Sequence, residues 1–277
     1  MDGMLDPSEG SVGSASATFW GRRDARGDGP LIEHAPYVWL VLCLAALVVG
    51  FAKTAIGGLG TVAVALYAGV LPARESTAAL LLLLLVGDVV AVSKYRHDCD
   101  WTLLRHLIPG VVPGIVAGTL VLGAVDDATL RRGIGVVILL LVGLQLALRK
   151  PVVGEAGSGW PWPARLGSGV AAGFTTMVAN AGGPVMTLYL VGQGVDKRRF
   201  LGTAAWFFFG VNLCKVPFSI GLGLVNRDML VRTAVLVPLV LVGAFIGIRV
   251  ARRLHQSWFD VAVLTASAIS AVALIVV

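Results

Sequence analysis

Apolar runs long enough to cross a bilayer, separated by short islands that hold most of the charge, recur from Tyr37 to the end of this chain. A helix needs about 20 apolar residues to span the hydrocarbon, and lipid offers backbone polar groups no partner but each other. The chain therefore reads as an all-α integral membrane protein. With 57% hydrophobic and 14% charged residues and a mean hydropathy of +0.85, it has more apolar surface than one soluble core of this length can hide. The net charge of +6 is spread over islands of both signs. It suits anionic lipid and the fixing of topology rather than a nucleic-acid partner. The three cysteines, Cys43, Cys99 and Cys214, have no paired spacing and are expected as free thiols.

Residues 1–34 are rich in Gly, Ser, Asp and Arg and lack the apolar core of a cleavable signal peptide, so they read as a flexible tail. From Tyr37 to Val70 the apolar run is too long for one simple span. Gly50, Lys53, Thr54 and the cluster Gly57, Gly58, Gly60 mark where it breaks. A turn at Pro72, Arg74 and Glu75 leads to a span from Ser76 to Val92 with Asp88 inside it. A third span, about Leu103 to Leu122, carries Gly110, Gly114 and Gly118 at four-residue spacing, a face on which another helix can pack closely. A fourth follows Arg132 and ends near Leu148, and residues 149–163 form a charged, Gly-rich connector ending in Trp160-Pro161-Trp162-Pro163.

The second half replays the first. Gly50-Phe51 aligns with Gly173-Phe174, the Gly57–Gly60 cluster with Asn180–Gly183, and Gly114 and Gly118 with Gly243 and Gly247. The expected architecture is about eight hydrophobic segments in two four-segment repeats, 35–148 and 164–277, with the first segment of each broken or re-entrant. If those segments are re-entrant, the balance of Lys and Arg between loops improves and the halves become inverted.

Ala172–Phe218 is the most informative stretch, because Thr175, Thr176, Asn180, Asn212 and Lys215 interrupt runs of bilayer length. Polar groups at that depth are costly and usually face a cavity or a partner. Interrupted segments at equivalent places in two halves are the plan of secondary transporters, whose broken helices aim backbone ends at a substrate near the midplane. A small anion explains the residue types. Lys53 and Lys215 supply positive charge; Thr54, Thr176, Asn180 and Asn212 supply donors; Gly57, Gly58, Gly182 and Gly183 let backbone amides approach. For the lysines the other reading is snorkelling to the headgroups, opposed at Lys53 by apolar sequence on both sides and easier at Lys215, near Pro217. The threonines also suit plain helix packing. Asp88, the acidic residue well inside a span, either carries a coupling proton, neutralises a lysine across the repeat interface, or serves as a static ion pair or hydrogen-bond anchor.

GFAKTAIGGLG, the run into Asp88 followed by YRHDCDWTLLRHLIPG, GFTTMVANAGGP and FFFGVNLCKVPF, taken in order, resemble the recurring blocks of the TauE/SafE family of membrane anion exporters. The resemblance covers the chain from about Tyr37 onward. It implies two four-segment repeats and export of sulfite or a related organosulfonate from a bacterial inner membrane, coupled to a proton or sodium gradient. An anion channel and a structural membrane subunit are the alternatives, and a homo-oligomer is compatible with the glycine faces. An enzyme is not expected: aspartyl proteolysis needs two intramembrane aspartates, and His34, His97, His106 and His255 lie in or near polar islands. Those histidines lack metal-ligand spacing and no P-loop is present, so neither metal nor other cofactor is expected.

Overall fold

The structure, a computed structural model, describes residues 36–55, 59–126, 161–193 and 197–253, with scattered positions between 128 and 140 and Val195. The expected tail, most of the fourth span, nearly all of the connector, the last segment, and the candidate residues Gly57 and Gly58 lie outside the described residues. By its contacts the chain divides after Leu40. Of the first unit, residues 36–40 are described, the opening of a helix; the second holds the rest of that helix and all the others.

The described residues form helices joined by turns: α1 Pro36–Ala55, α2 Gly60–Val70, α3 Ala73–Tyr95, α4 Trp101–Ala124, α5 Trp162–Ala179, α6 Gly182–Gly192, α7 Lys197–Gly221 and α8 Arg227–Arg253. Five of them, α1, α3, α4, α7 and α8, are long and apolar enough to cross a membrane. By contrast α2 and α6, 11 residues each, rise only about 17 Å, roughly half the hydrocarbon thickness. The expected break in the second half is present at Asn180, which ends α5 in the left-handed region (φ 49°) and is followed by Ala181 before α6 begins; the one expected in the first half falls on residues 56–58, outside the described residues.

Glycines set the closest approaches. A β-carbon on Gly110 or Gly114 of α4 would strike the α5 backbone at Leu166 or Val170, and one on Gly169 or Gly173 of α5 would strike Leu107 or Val111 of α4. The same device joins α1 to α8, where Gly50 meets Val240 and Gly243 meets Leu47. Close backbones enlarge the dispersion contact that holds helices together where lipid removes most of the hydrophobic drive. Pro109 and Pro113 in α4, Pro217 in α7 and Pro238 in α8 sit inside continuous helix. Pro217 lies one turn before the end of α7 at Gly221, near the span end as expected. His106, expected in or near a polar island, lies in the second turn of α4, inside the span expected from Leu103, and Asp100 caps that helix ahead of Leu103. Its Oδ1 accepts the amides of Thr102 and Leu103 at 3.0 and 3.2 Å, the N-cap geometry that satisfies free helix-start donors.

α3 packs against α2, α7 and α8 and buries Ser76 to Leu81, Leu83 and Leu84, with Gly87, Asp88 and Ala91. At one end Glu75 pairs with Arg232 of α8 at 3.2 Å, and Arg74 donates to the Val125 carbonyl. At the other, Trp206 of α7 stacks on Trp101, ring centroids 5.2 Å apart. All three cysteines are free. In the α3–α4 turn, burial pushes the Cys99 thiol up to about 11; beyond α4, hydrogen bonds from Thr129 and neighbouring amides hold the exposed Asp126 carboxyl low.

Candidate functional site

Three charged side chains meet inside the helices. Asp88 arrives in the middle of α3 and is fully buried. Its Oδ1 lies 2.7 Å from Lys53 Nζ, and its Oδ2 accepts a hydrogen bond from Asn212 Nδ2 at 2.7 Å. Lys53 comes from the last turn of α1, where its stem passes Gly87; a β-carbon there would lie 2.9 Å from Lys53 Cγ. The ammonium also sits over the Phe208 ring, 4.5 Å from its centroid. A lone buried ammonium would be costly. Here a carboxylate and a ring face offset that cost.

Lys215, from α7, is 1% exposed and has different company. Its ammonium donates to the Thr176 carbonyl at 2.5 Å and to Asn180 Oδ1, with Thr176 Oγ1 and Asn212 Oδ1 at 3.4 and 3.5 Å. Snorkelling is thereby excluded, since the head points inward at the end of α5. Asn180 is held there because the left-handed turn that ends α5 brings its side chain back across the break, where Nδ2 donates to the Thr77 carbonyl at 2.9 Å. An ammonium can only donate, so it fixes both amides with their oxygens toward Lys215 and their nitrogens away from it.

Beside this cluster is a cavity of about 40 Å³, room for roughly three waters or one small oxyanion. Its polar wall is Lys53, Asp88, Thr176, Asn180 and Asn212; Gly60, at the start of α2, and Gly183, in the first turn of α6, bring two helix N-termini to it. Phe200, Leu201, Ala204, Ala205 and Phe208 of α7, with Leu84 and Ala52, form the apolar wall.

Of the residues singled out from sequence, the structure thus brings Lys53, Asp88, Thr176, Asn180, Gly183 and Asn212 to one cavity. Lys215 and Gly182 stand one layer behind, the latter under Thr176 and Phe208. Thr54 turns the other way, its hydroxyl donating to the Ala244 carbonyl of α8 at 2.9 Å and to Gly50 O at 3.0 Å. Thr175 likewise bonds within its own helix, to Ala171 O at 2.7 Å. Sequence reasoning missed the α7 wall, above all Phe208. The signal was there, since Phe208 precedes Asn212 by four residues and so shares its helix face, but apolar residues in a span carry no mark separating cavity wall from core. Among the described residues no cluster of metal-ligand type occurs.

A family model described as "Sulfite exporter TauE/SafE" matches residues 42–274, which takes in every helix from α1 onward. Neither a curated protein nor a solved structure gave a match.

Proposed function

We propose, for a chain that belongs to the TauE/SafE sulfite exporter family and so is a membrane anion transporter and not an enzyme, that the anion in transit occupies the cavity between Lys53, Asn180 and Asn212. One observation carries this reading: an ammonium and the starts of two helices converge on one small cavity. Helix N-termini present unpaired amides and a partial positive charge, so they attract anions. Asn180 and Asn212 each have a second amide hydrogen beyond the bonds to Thr77 and Asp88, and those are free for a substrate oxygen. Thr176, Gly182 and Gly183 shape the floor, and Lys215 raises the potential from behind. Gly57 and Gly58 are, in sequence, the counterpart of Asn180–Gly183 in this reading; Thr54 serves the site indirectly, by tying the end of α1 to α8.

Two four-segment repeats, 35–148 and 164–277, give the site its midplane location in this reading. The pairing of α1 with α8 and of α5 with α4 supports it: each interrupted segment packs, glycine to backbone, on the opposite half. In α2 and α6 the short helices are the re-entrant arms. Rocking of one half against the other exposes the cavity to each side in turn, driven by a gradient of protons or sodium across a bacterial inner membrane.

Efflux of labelled sulfite from proteoliposomes under imposed pH and sodium gradients tests this. Uphill movement that follows one gradient, and that is lost in Asn180→Ala and Lys53→Met, is the expected result. Movement unaltered by both substitutions removes the anion from this cavity, and ion-selective current without uphill movement makes the protein a channel.

A further inference from the structure

The two lysines and the aspartate do not balance. Lys53 has a carboxylate 2.7 Å away, while Lys215 touches only neutral oxygens of Thr176, Asn180 and Asn212. Among the described residues Asp88 is the only acidic group lining the cavity or bonded to either lysine. Asp88 and Lys215 are buried, and Lys53 keeps 10% of its side chain exposed. With both lysines protonated and Asp88 ionised, the cluster carries a single uncompensated positive charge beside the cavity.

We propose that this count sets the valence of the substrate: the site takes singly charged oxyanions, hydrogensulfite or a sulfonate with an apolar carbon end, and rejects doubly charged ones of the same size. The inference rests on the cavity being the anion site proposed above. One negative charge brings the buried cluster to neutrality. A second would stand unpaired in a low-dielectric interior, where an uncompensated charge is heavily penalised. Lys215 acts through its neighbours. It does not line the cavity, and by holding the oxygens of Asn180 and Asn212 it turns their N–H groups toward the anion; it is a positioning residue that also supplies the net charge. The apolar lining, Leu84, Leu201, Ala204, Ala205 and Phe208, offers no donor and suits the carbon end of a sulfonate.

Competition in proteoliposomes with anions of fixed charge tests the count. Methanesulfonate is expected to be transported, and sulfate and ethanedisulfonate to inhibit it at least about 100-fold more weakly. Asp88→Asn keeps the side-chain shape and leaves two uncompensated charges, so it is expected to admit sulfate. Should that variant fail to fold, the competition series on the parent protein decides alone. Sulfate binding as tightly as methanesulfonate to the parent overturns the valence rule and leaves the anion site intact. If neither anion moves or competes with sulfite, the cavity reading itself fails, and this inference with it.

Discussion

Lys53 and Lys215 look alike in the sequence, each a cation inside an apolar stretch, and the fold treats them oppositely. Lys53 lies on the cavity wall with its charge answered by Asp88 and by the Phe208 ring. Lys215 lies behind the wall, ringed by carbonyl, hydroxyl and amide oxygens. The first arrangement neutralises a charge locally and keeps it within reach of a ligand. The second leaves a charge in place and spends its hydrogen bonds on holding two asparagines. A buried cation thus serves either as a contact or as a source of potential, and the neighbours decide which.

Removing Asp88 breaks the comparison most severely. Asp88→Ala leaves Lys53 with the character of Lys215 but without its ring of oxygens, and stranding one member of a buried pair costs about 3–5 kcal/mol. The expected outcome is a large fall in the midpoint of thermal unfolding in detergent, larger than for any other single change at the site. A fall of under about 1 kcal/mol would show the Lys53–Asp88 contact to be solvated, as surface pairs are.

Lys215→Met removes the second arrangement alone. Its thioether-bearing stem fills most of the volume, while Thr176 O, Asn180 Oδ1 and Asn212 Oδ1 lose their donor. Hydrogen bonds to charged groups are worth about 1.5–3 kcal/mol, so a loss of roughly tenfold to a hundredfold in apparent affinity for methanesulfonate is expected. Stability should fall less than in Asp88→Ala, because no charge is stranded. Equal losses of stability in the two variants would erase the distinction between the lysines.

The third effect is confined to Lys53. Phe208→Leu keeps the cavity wall apolar and removes the ring face under the ammonium, an interaction worth about 0.5–2 kcal/mol. Transport affinity should weaken by roughly threefold to thirtyfold. The Asn180–Lys215 arrangement, followed by the unfolding midpoint of Lys215→Met in the same background, should respond additively, since neither residue shares a bond with the other.

Much of this was legible before any coordinates. Bilayer-length runs fixed five long helices, because length and hydropathy are local properties. The break at Asn180 was legible because Asn180 and the glycines after it, Gly182 and Gly183, are residues a continuous helix would not choose. The polar cluster was legible because lysine, aspartate and asparagine are costly in lipid wherever they point. Direction was not. Thr54 and Thr176 look equally suited to a ligand, and only the packing of α1 on α8 turns Thr54 onto Ala244 O. Lys215 was hard for the same reason: it sits near the end of its span, before Pro217, where a lysine can snorkel, and only the fold turns its head onto Thr176 and Asn180. Phe208 was invisible because its role depends on which side of α7 meets Lys53, a tertiary fact. Asp88 had a lysine partner among the alternatives, but one across the two halves, and its partner Lys53 belongs to the same half.

The smallest and sharpest test sits at Gly87. A β-carbon there would lie 2.9 Å from Lys53 Cγ and 3.3 Å from Lys53 Cβ, so Gly87→Ala obliges the lysine stem to shift by a few tenths of an ångström while leaving its charge, Asp88 and the whole Lys215 ring unchanged. Alanine in place of helical glycine favours the helix by about 1 kcal/mol, which offsets the crowding, and the unfolding midpoint should move little. Affinity for methanesulfonate should nevertheless weaken by roughly threefold to tenfold, because an ion pair and a ring contact depend steeply on ammonium position. Gly210→Ala on α7, where a β-carbon meets nothing within 4 Å, supplies the reference: the same gain in helix propensity with unchanged transport. If Gly87→Ala leaves affinity as unaltered as Gly210→Ala does, Lys53 does not contact the anion, and the positive charge that matters is the one behind the wall, at Lys215.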